Sequence, residues 1–371
     1  MAAPDASSSS FPVESILFPL STFLLSIYTL STATDVFISS TARLARRLHV
    51  SETLISLLTA GAEWEELAVV IAAIAQGRPK LALGNVLGSC VANILGAFSL
   101  GVLAQRETIV RYDVSARLYA VILFGLTTGV AVLWGFGRLE GHVYGAALVV
   151  VFVLYMVGIG WSVYRGVLTA PQDSDAESDA ESDGSSTSEE SGQTAVSGEE
   201  AQHDENQADE TTPLSLRWRK PPSILTYLVK LIVAFIALSL SGYVLSHSSK
   251  SLSTACHLSD TVFGATLLSL GTTLPEKFVA VISGYRGHPG IMVANTVGSN
   301  IFLLTLCLGV TILSSQGLAQ GSSYTQEIVW TWTTSAFLMV MILVGTHRLV
   351  GLAMLLAYVG FLVLEFTLYK P

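Results

Sequence analysis

Apolar residues in this chain come in long blocks separated by short polar breaks. A helix that crosses a bilayer needs roughly 20 mostly apolar residues. Ten blocks meet that length, at 16–36, 51–75, 82–105, 118–137 and 142–164, then at 223–246, 257–283, 291–313, 327–345 and 349–369. A polar insertion, 165–222, divides them five and five. The pattern predicts an all-α integral membrane protein, multi-pass and embedded in a lipid bilayer.

The two halves also repeat each other. The first contains "GAEWEELAVVIAAIAQGRPKLALGNVLGSCVA" from Gly61, and the second "GTTLPEKFVAVISGYRGHPGIMVANTVGSNIF" from Gly271. At an offset of 210, Gly61 falls on Gly271, Glu66 on Glu276, Gly77 on Gly287, Pro79 on Pro289, Asn85 on Asn295, Gly88 on Gly298 and Ser89 on Ser299. Upstream, "VSET" from Val50 matches "LSDT" from Leu258 at an offset of 208. Five spans per half is an odd number, so the second copy enters the membrane from the opposite side. The expected fold is therefore ten transmembrane helices in two inverted five-helix repeats, 16–164 and 223–371, after a short non-cytoplasmic tail, 1–15. Inverted repeats build a shared site near the bilayer midplane, where broken helices meet. With the N-terminus outside, 12 Lys and Arg fall in cytoplasmic connections and 5 on the other side. This bias places the 165–222 loop in the cytoplasm.

Composition supports a membrane body and changes the view of its charge. Only 13% of residues are charged, against about 25% in soluble domains. The net charge of −9 comes from 172–210, which holds 14 acidic residues and no Lys or Arg, so the rest of the chain stands at +5. An acidic segment does not bind nucleic acid, which needs clustered cations. "QDSDAESDAESDGSSTSEESG" has no large apolar residue and predicts a disordered linker. Its serines lie beside acidic residues and suit phosphorylation by a kinase. The N-terminus has no basic segment of the kind that opens a cleaved signal peptide. Cys90, Cys256 and Cys307 show no metal-binding spacing and are expected as small packing residues.

The repeated residues carry the candidate chemistry. Glu276 lies inside "LLSLGTTLPEKFVAV", and a carboxylate at such depth is costly and marks a functional site. Pro275 removes a backbone donor and frees a carbonyl one turn earlier. Gly271 permits local unwinding, and Thr272 and Thr273 add hydroxyls. Carboxylate, hydroxyl and free carbonyl are hard oxygen ligands, suited to Ca2+ or Na+. Glu66 is the first-half counterpart, with Glu63 and Glu65 nearby. At about 100° per residue, Glu63 shares a helix face with Glu66, whereas Glu65 points elsewhere. Asn93, 27 residues after Glu66, is a candidate amide ligand. Asn85 and Asn295 suit either helix packing or ligation. Gly84 with Gly88, and Ala294 with Gly298, read as small-residue contacts between helices. Lys277 either snorkels to an interface or takes the place of a bound cation.

"GTTLPE…GHPGIMVANTVGSNIF" closely resembles the repeat signature of the calcium/cation antiporter superfamily, in the sodium/calcium exchanger membrane region. "STARLARRLHVSETL" and "LSDTVFGATLLSLGTTLPE" look like the segments leading into that family's two repeats. The resemblance spans all ten blocks and implies secondary antiport of Ca2+ against Na+ or H+ by alternating access, with no cofactor and no enzyme chemistry. It implies Glu66 and Glu276 as Ca2+ ligands, Thr272 and Thr273 as oxygens for both ions, and Asn93 as a further ligand. Ala62 and Glu63 stand where the family has hydroxyls, Leu303 where it has a polar residue, and Cys90 where it has asparagine. The missing oxygens weaken Na+ sites most. A proton-coupled exchanger is therefore an open variant, since a carboxylate in apolar surroundings can trade a proton for a metal. The same departures suit a second class, a non-transporting relative acting as a membrane scaffold or regulator. Plasma membrane and organelle (vacuolar or endomembrane) locations are both compatible with these features.

Overall fold

The computed structural model describes residues 14–47, 63–107, 109–136, 141–164, 224–315 and 324–368. The first half contributes α1 (Glu14–Arg47), α2 (Trp64–Ala75), α3 (Pro79–Ala104), α4 (Val114–Phe136) and α5 (Gly141–Tyr164). The second contributes α6 (Ile224–Ala255), α7 (Asp260–Thr272), α8 (Leu274–Arg286), α9 (Pro289–Ser314), α10 (Thr325–Val344) and α11 (Arg348–Leu368). Eight described helices are long and apolar enough to cross a membrane, and the bent α7–α8 pair makes a ninth. Of the expected span 51–75, the described residues hold only the 12-residue α2, which is too short to cross alone. Its expected first part, 51–62, lies outside the described residues, as do the acidic loop 165–222 and nearly all of the 1–15 tail.

Two helices form the centre. The apolar windows of α3 and α9 are buried over 89% and 78% of their residues, whereas those of α1, α4, α5 and α6 are buried over 22% or less. The outer helices turn apolar faces outward, as lipid requires. α3 and α9 start alike: Gly77 and Gly287 adopt left-handed φ of 69° and 77°, and Pro79 and Pro289 follow at the helix start. Glycine takes that φ without steric cost, and proline needs no amide partner there. Both helices then widen into a π-helical stretch, Ala92–Phe98 in α3 and Leu303–Cys307 in α9.

The halves interlock. α1 packs along α6, the first part of α3 against α7, the end of α3 against α8 and α11, α4 against α10, and α5 against the end of α9. Small residues allow this closeness. A Cβ on Gly84 would strike the Thr261 backbone, and one on Gly88 the Ala265 backbone, both in α7. Gly284 of α8 meets the Gly101 backbone of α3 in the same way.

Three expectations change. α1 continues to Arg47 instead of stopping near 36, since no glycine or proline intervenes. α6 runs to Ala255 instead of 246, because Ser248, Ser249, Ser253 and Thr254 turn their hydroxyls onto carbonyls of their own helix. Cys90 and Cys307 are buried, as expected for packing residues, but Cys256 is exposed just beyond the end of α6. A two-residue antiparallel ladder also joins the 109–110 and 346–347 connections, pairing Ile109 with His347 and Val110 with Thr346. Tyr112 and Thr346 share a hydroxyl contact of 2.7 Å beside it.

Candidate functional site

The second repeat breaks its helix at the site. Between α7 and α8, Thr273 leaves helical geometry (φ −88°, ψ 18°) and the axis bends by 49°. Pro275, in the first turn of α8, has no N–H for the carbonyl one turn back. The Thr272 hydroxyl donates to the Leu268 carbonyl at 3.1 Å, and the Thr273 hydroxyl to the Ser269 carbonyl at 2.6 Å. Glu276 follows on the first turn of α8, 9% exposed.

The first repeat brings its acids to the same place. Oxygens of Glu63, Glu65 and Glu276 lie within 4.8 Å of one another. Glu63 Oε2 and Glu276 Oε2 are buried without a hydrogen-bond partner. Like charges this close repel unless a cation or proton lies among them. Ser299, the repeat counterpart of Ser89, faces Glu63.

Glu65 is a correction. It was expected to point away from its neighbours, yet it is 6% exposed and belongs to the carboxylate group. The helix-phase count began at Glu63, and Glu63 is not helical. It precedes α2 with ψ 68°, so 100° steps from it do not apply.

Glu66 is placed beside this group but held differently. It is fully buried, and α3 supplies both partners: the Asn85 amide donates to Oε2, and the Ser89 hydroxyl to Oε1 at 2.9 Å. Thr272 of α7 also adjoins it. Asn85 and Ser89 thus act here as donors to a carboxylate, a role the sequence left open for Asn85 and did not assign to Ser89. Asn93 is fully buried on the π-helical stretch of α3, and neither of its amide atoms has a partner. α8 packs against that stretch. Leu303 is buried at the start of the matching stretch in α9. Ala62 lies outside the described residues.

The arrangement offers carboxylate oxygens from both repeats, hydroxyls, a broken helix and an amide with open valences. It has the chemistry of a hard-cation cage. Among the described residues it is the one group of acids this close together.

A family model described as sodium/calcium exchanger protein matches residues 18–161 and 226–367. The uncharacterized membrane protein MJ0091 of Methanocaldococcus jannaschii is 25% identical over 281 residues, 75% of this chain and 76% of that protein. The sodium/calcium exchanger MaX1 of Methanosarcina acetivorans is 34% identical over 110 residues, 29% of this chain and 31% of that protein. A solved structure of the sodium-calcium exchanger NCX_Mj superposes with a TM-score of 0.55, covering 93% of this chain and 97% of that one at 21% identity. At that identity the likeness is one of fold.

Proposed function

Because this chain belongs to the sodium/calcium exchanger protein family, we propose that it is a secondary antiporter exchanging Ca2+ for Na+, or for H+, at a site shared by its two repeats. The observation that carries this reading is the meeting of Glu63 and Glu65 from one half with Glu276 from the other inside the apolar body. Burying three carboxylates is costly unless a cation joins them.

Glu276 and Glu63 are the proposed carboxylate ligands for Ca2+, with Glu65 adding charge. Glu66, fixed by Asn85 and Ser89, borders the ion on the α3 side. Thr272 and Asn93 provide neutral oxygens, and Thr273 lies beside them at the helix break with its oxygens turned to Lys277. A cation entering the cage relieves repulsion between acids on opposite halves, so the loaded and empty forms differ in how tightly the halves close. Alternating access needs such coupling between occupancy and conformation. The Lys and Arg bias supports a cytoplasmic loop 165–222, whose acid-flanked serines suit a kinase.

The test is Ca2+ flux in proteoliposomes of purified protein, with Na+ and pH gradients imposed separately, alongside Glu276→Gln. Flux driven by Na+ and lost in the variant supports a sodium-coupled exchanger. Flux driven by pH alone assigns the coupling ion to the proton. Folded wild-type protein with no flux under either gradient refutes the antiport reading for Ca2+.

A further inference from the structure

Lys277 occupies an unusual position. Its stem runs past the π-helical stretch of α3, where a Cβ added to Gly96 would lie 3.5 Å from Lys277 Cε. Its ammonium is buried and turns back to the broken helix. It donates to Thr273 Oγ1, to the Thr273 carbonyl at 3.1 Å and to the Leu270 carbonyl at 3.5 Å. The Thr273 hydroxyl gives its own proton to Ser269, so its lone pairs face Lys277. Glu276, Glu66 and Glu63 are the acids that act on the ammonium.

These three oxygens, one hydroxyl and two backbone carbonyls at a helix break, form the kind of hard-oxygen set that holds a monovalent cation in a membrane. An ammonium is a compact charge with three donors, and here all three acceptors are engaged by it. A buried lysine is costly within a bilayer, and the nearby acids offset it. Glu276 and Glu66 supply most of that offset, and Glu63, which has no acidic counterpart in the second repeat, adds to it.

We propose that Lys277 is a built-in cation that fills one monovalent-ion position of the transport site, so that the carrier binds one fewer Na+ in each cycle. The proposal rests on the antiport reading with Na+ as a coupling ion. It explains how Thr273 can be present and buried at the site yet closed to a mobile ion.

The experiment measures Ca2+ efflux from proteoliposomes against external Na+ at fixed pH, together with the reversal potential of the exchange current. Wild type is compared with Lys277→Met and Lys277→Arg. Because the Hill coefficient is limited by the number of sites, the methionine variant is expected to raise it by about one. Its reversal potential should shift towards more charge moved per Ca2+. The arginine variant keeps the charge and should keep the wild-type coefficient. If the methionine variant fails to fold, Lys277→Gln retains a donor for the helix carbonyls while removing the charge. An active neutral variant with unchanged coefficient and reversal potential overturns the proposal and leaves Lys277 as a cap on the broken helix. Wild-type flux that follows pH alone also overturns it. Wild type with no flux at all refutes the antiport reading itself, an outcome distinct from both.

Discussion

Replacing Gly88 with alanine places one methyl group where two halves of the protein touch. The new carbon would overlap the Ala265 backbone of α7, which has no side-chain freedom with which to yield. Gly125, in the middle of α4, has nothing within 4 Å of the same added carbon. Both sites are helical, so alanine gains about 1 kcal/mol of helix propensity at each, and that term cancels between them. What remains is overpacking at Gly88 alone, about 1–3 kcal/mol. Gly88→Ala should therefore be less stable than Gly125→Ala by that amount, a difference of about 1–5 °C in melting temperature for a chain of this length. The assay is thermal unfolding of both purified variants in one detergent at one scan rate, since membrane-protein melts are often kinetically governed. The site should respond as well. Asn85 and Ser89, which flank Gly88 on α3, hold Glu66. A hydrogen bond to a charged group contributes about 1.5–3 kcal/mol. Pushing α3 away from α7 by enough to lose one should weaken Ca2+ binding about tenfold or more. Equal melting temperatures, or undiminished Ca2+ affinity in a destabilised Gly88→Ala, would refute the reasoning.

Glu65→Gln removes one charge from the group it forms with Glu63 and Glu276, and calorimetry should show Ca2+ affinity falling about tenfold or more; unchanged affinity would mean that Glu65 takes no part in holding the ion. Arg78→Met should lower stability by about 1–3 kcal/mol, read as a lower melting temperature, because Arg78 pairs with Asp260 and also donates to the Ser246 carbonyl and Ser253 Oγ. Asp260→Asn should cost less, since Asp260 is 33% exposed and water can replace part of the interaction.

The architecture was largely legible in the chain because its strongest signals are local. Block length outlines the spans, but it starts the central helices at 82 and 291, and the repeated Gly-x-Pro at Gly77 and Gly287 is where they begin in the structure, at Pro79 and Pro289. Glu276 is conspicuous as a carboxylate inside an apolar block, whereas Glu63 enters the sequence reading through a shared helix face with Glu66 that its non-helical backbone does not support. Glu65 was misassigned because nothing in composition shows that Glu63 stands outside the helix. The π-helical stretches were invisible, since a change in hydrogen-bond register leaves no trace in hydropathy. For Lys277 the sequence allows an interface or a cation's place; the structure bonds it to the helix break one turn earlier, away from an interface, a placement that depends on Thr273 leaving helical geometry. Glu327 and Glu365, 6% and 0% exposed on α10 and α11, carried the same signal as Glu276 and went unremarked because they lie outside the repeated motifs.

Almost every strong helix contact pairs an element of one half with an element of the other. Among the described residues the halves recognise each other through shape, with Gly84 and Gly88 docked on α7 and Gly284 docked on α3. A gene split within the acidic segment, giving two separately translated five-helix proteins, should still yield one working molecule by co-assembly in the bilayer. A side chain larger than glycine at Gly84 or Gly88 would need a matching retreat of the α7 backbone in the other half, so the two docking faces constrain each other across the repeat boundary.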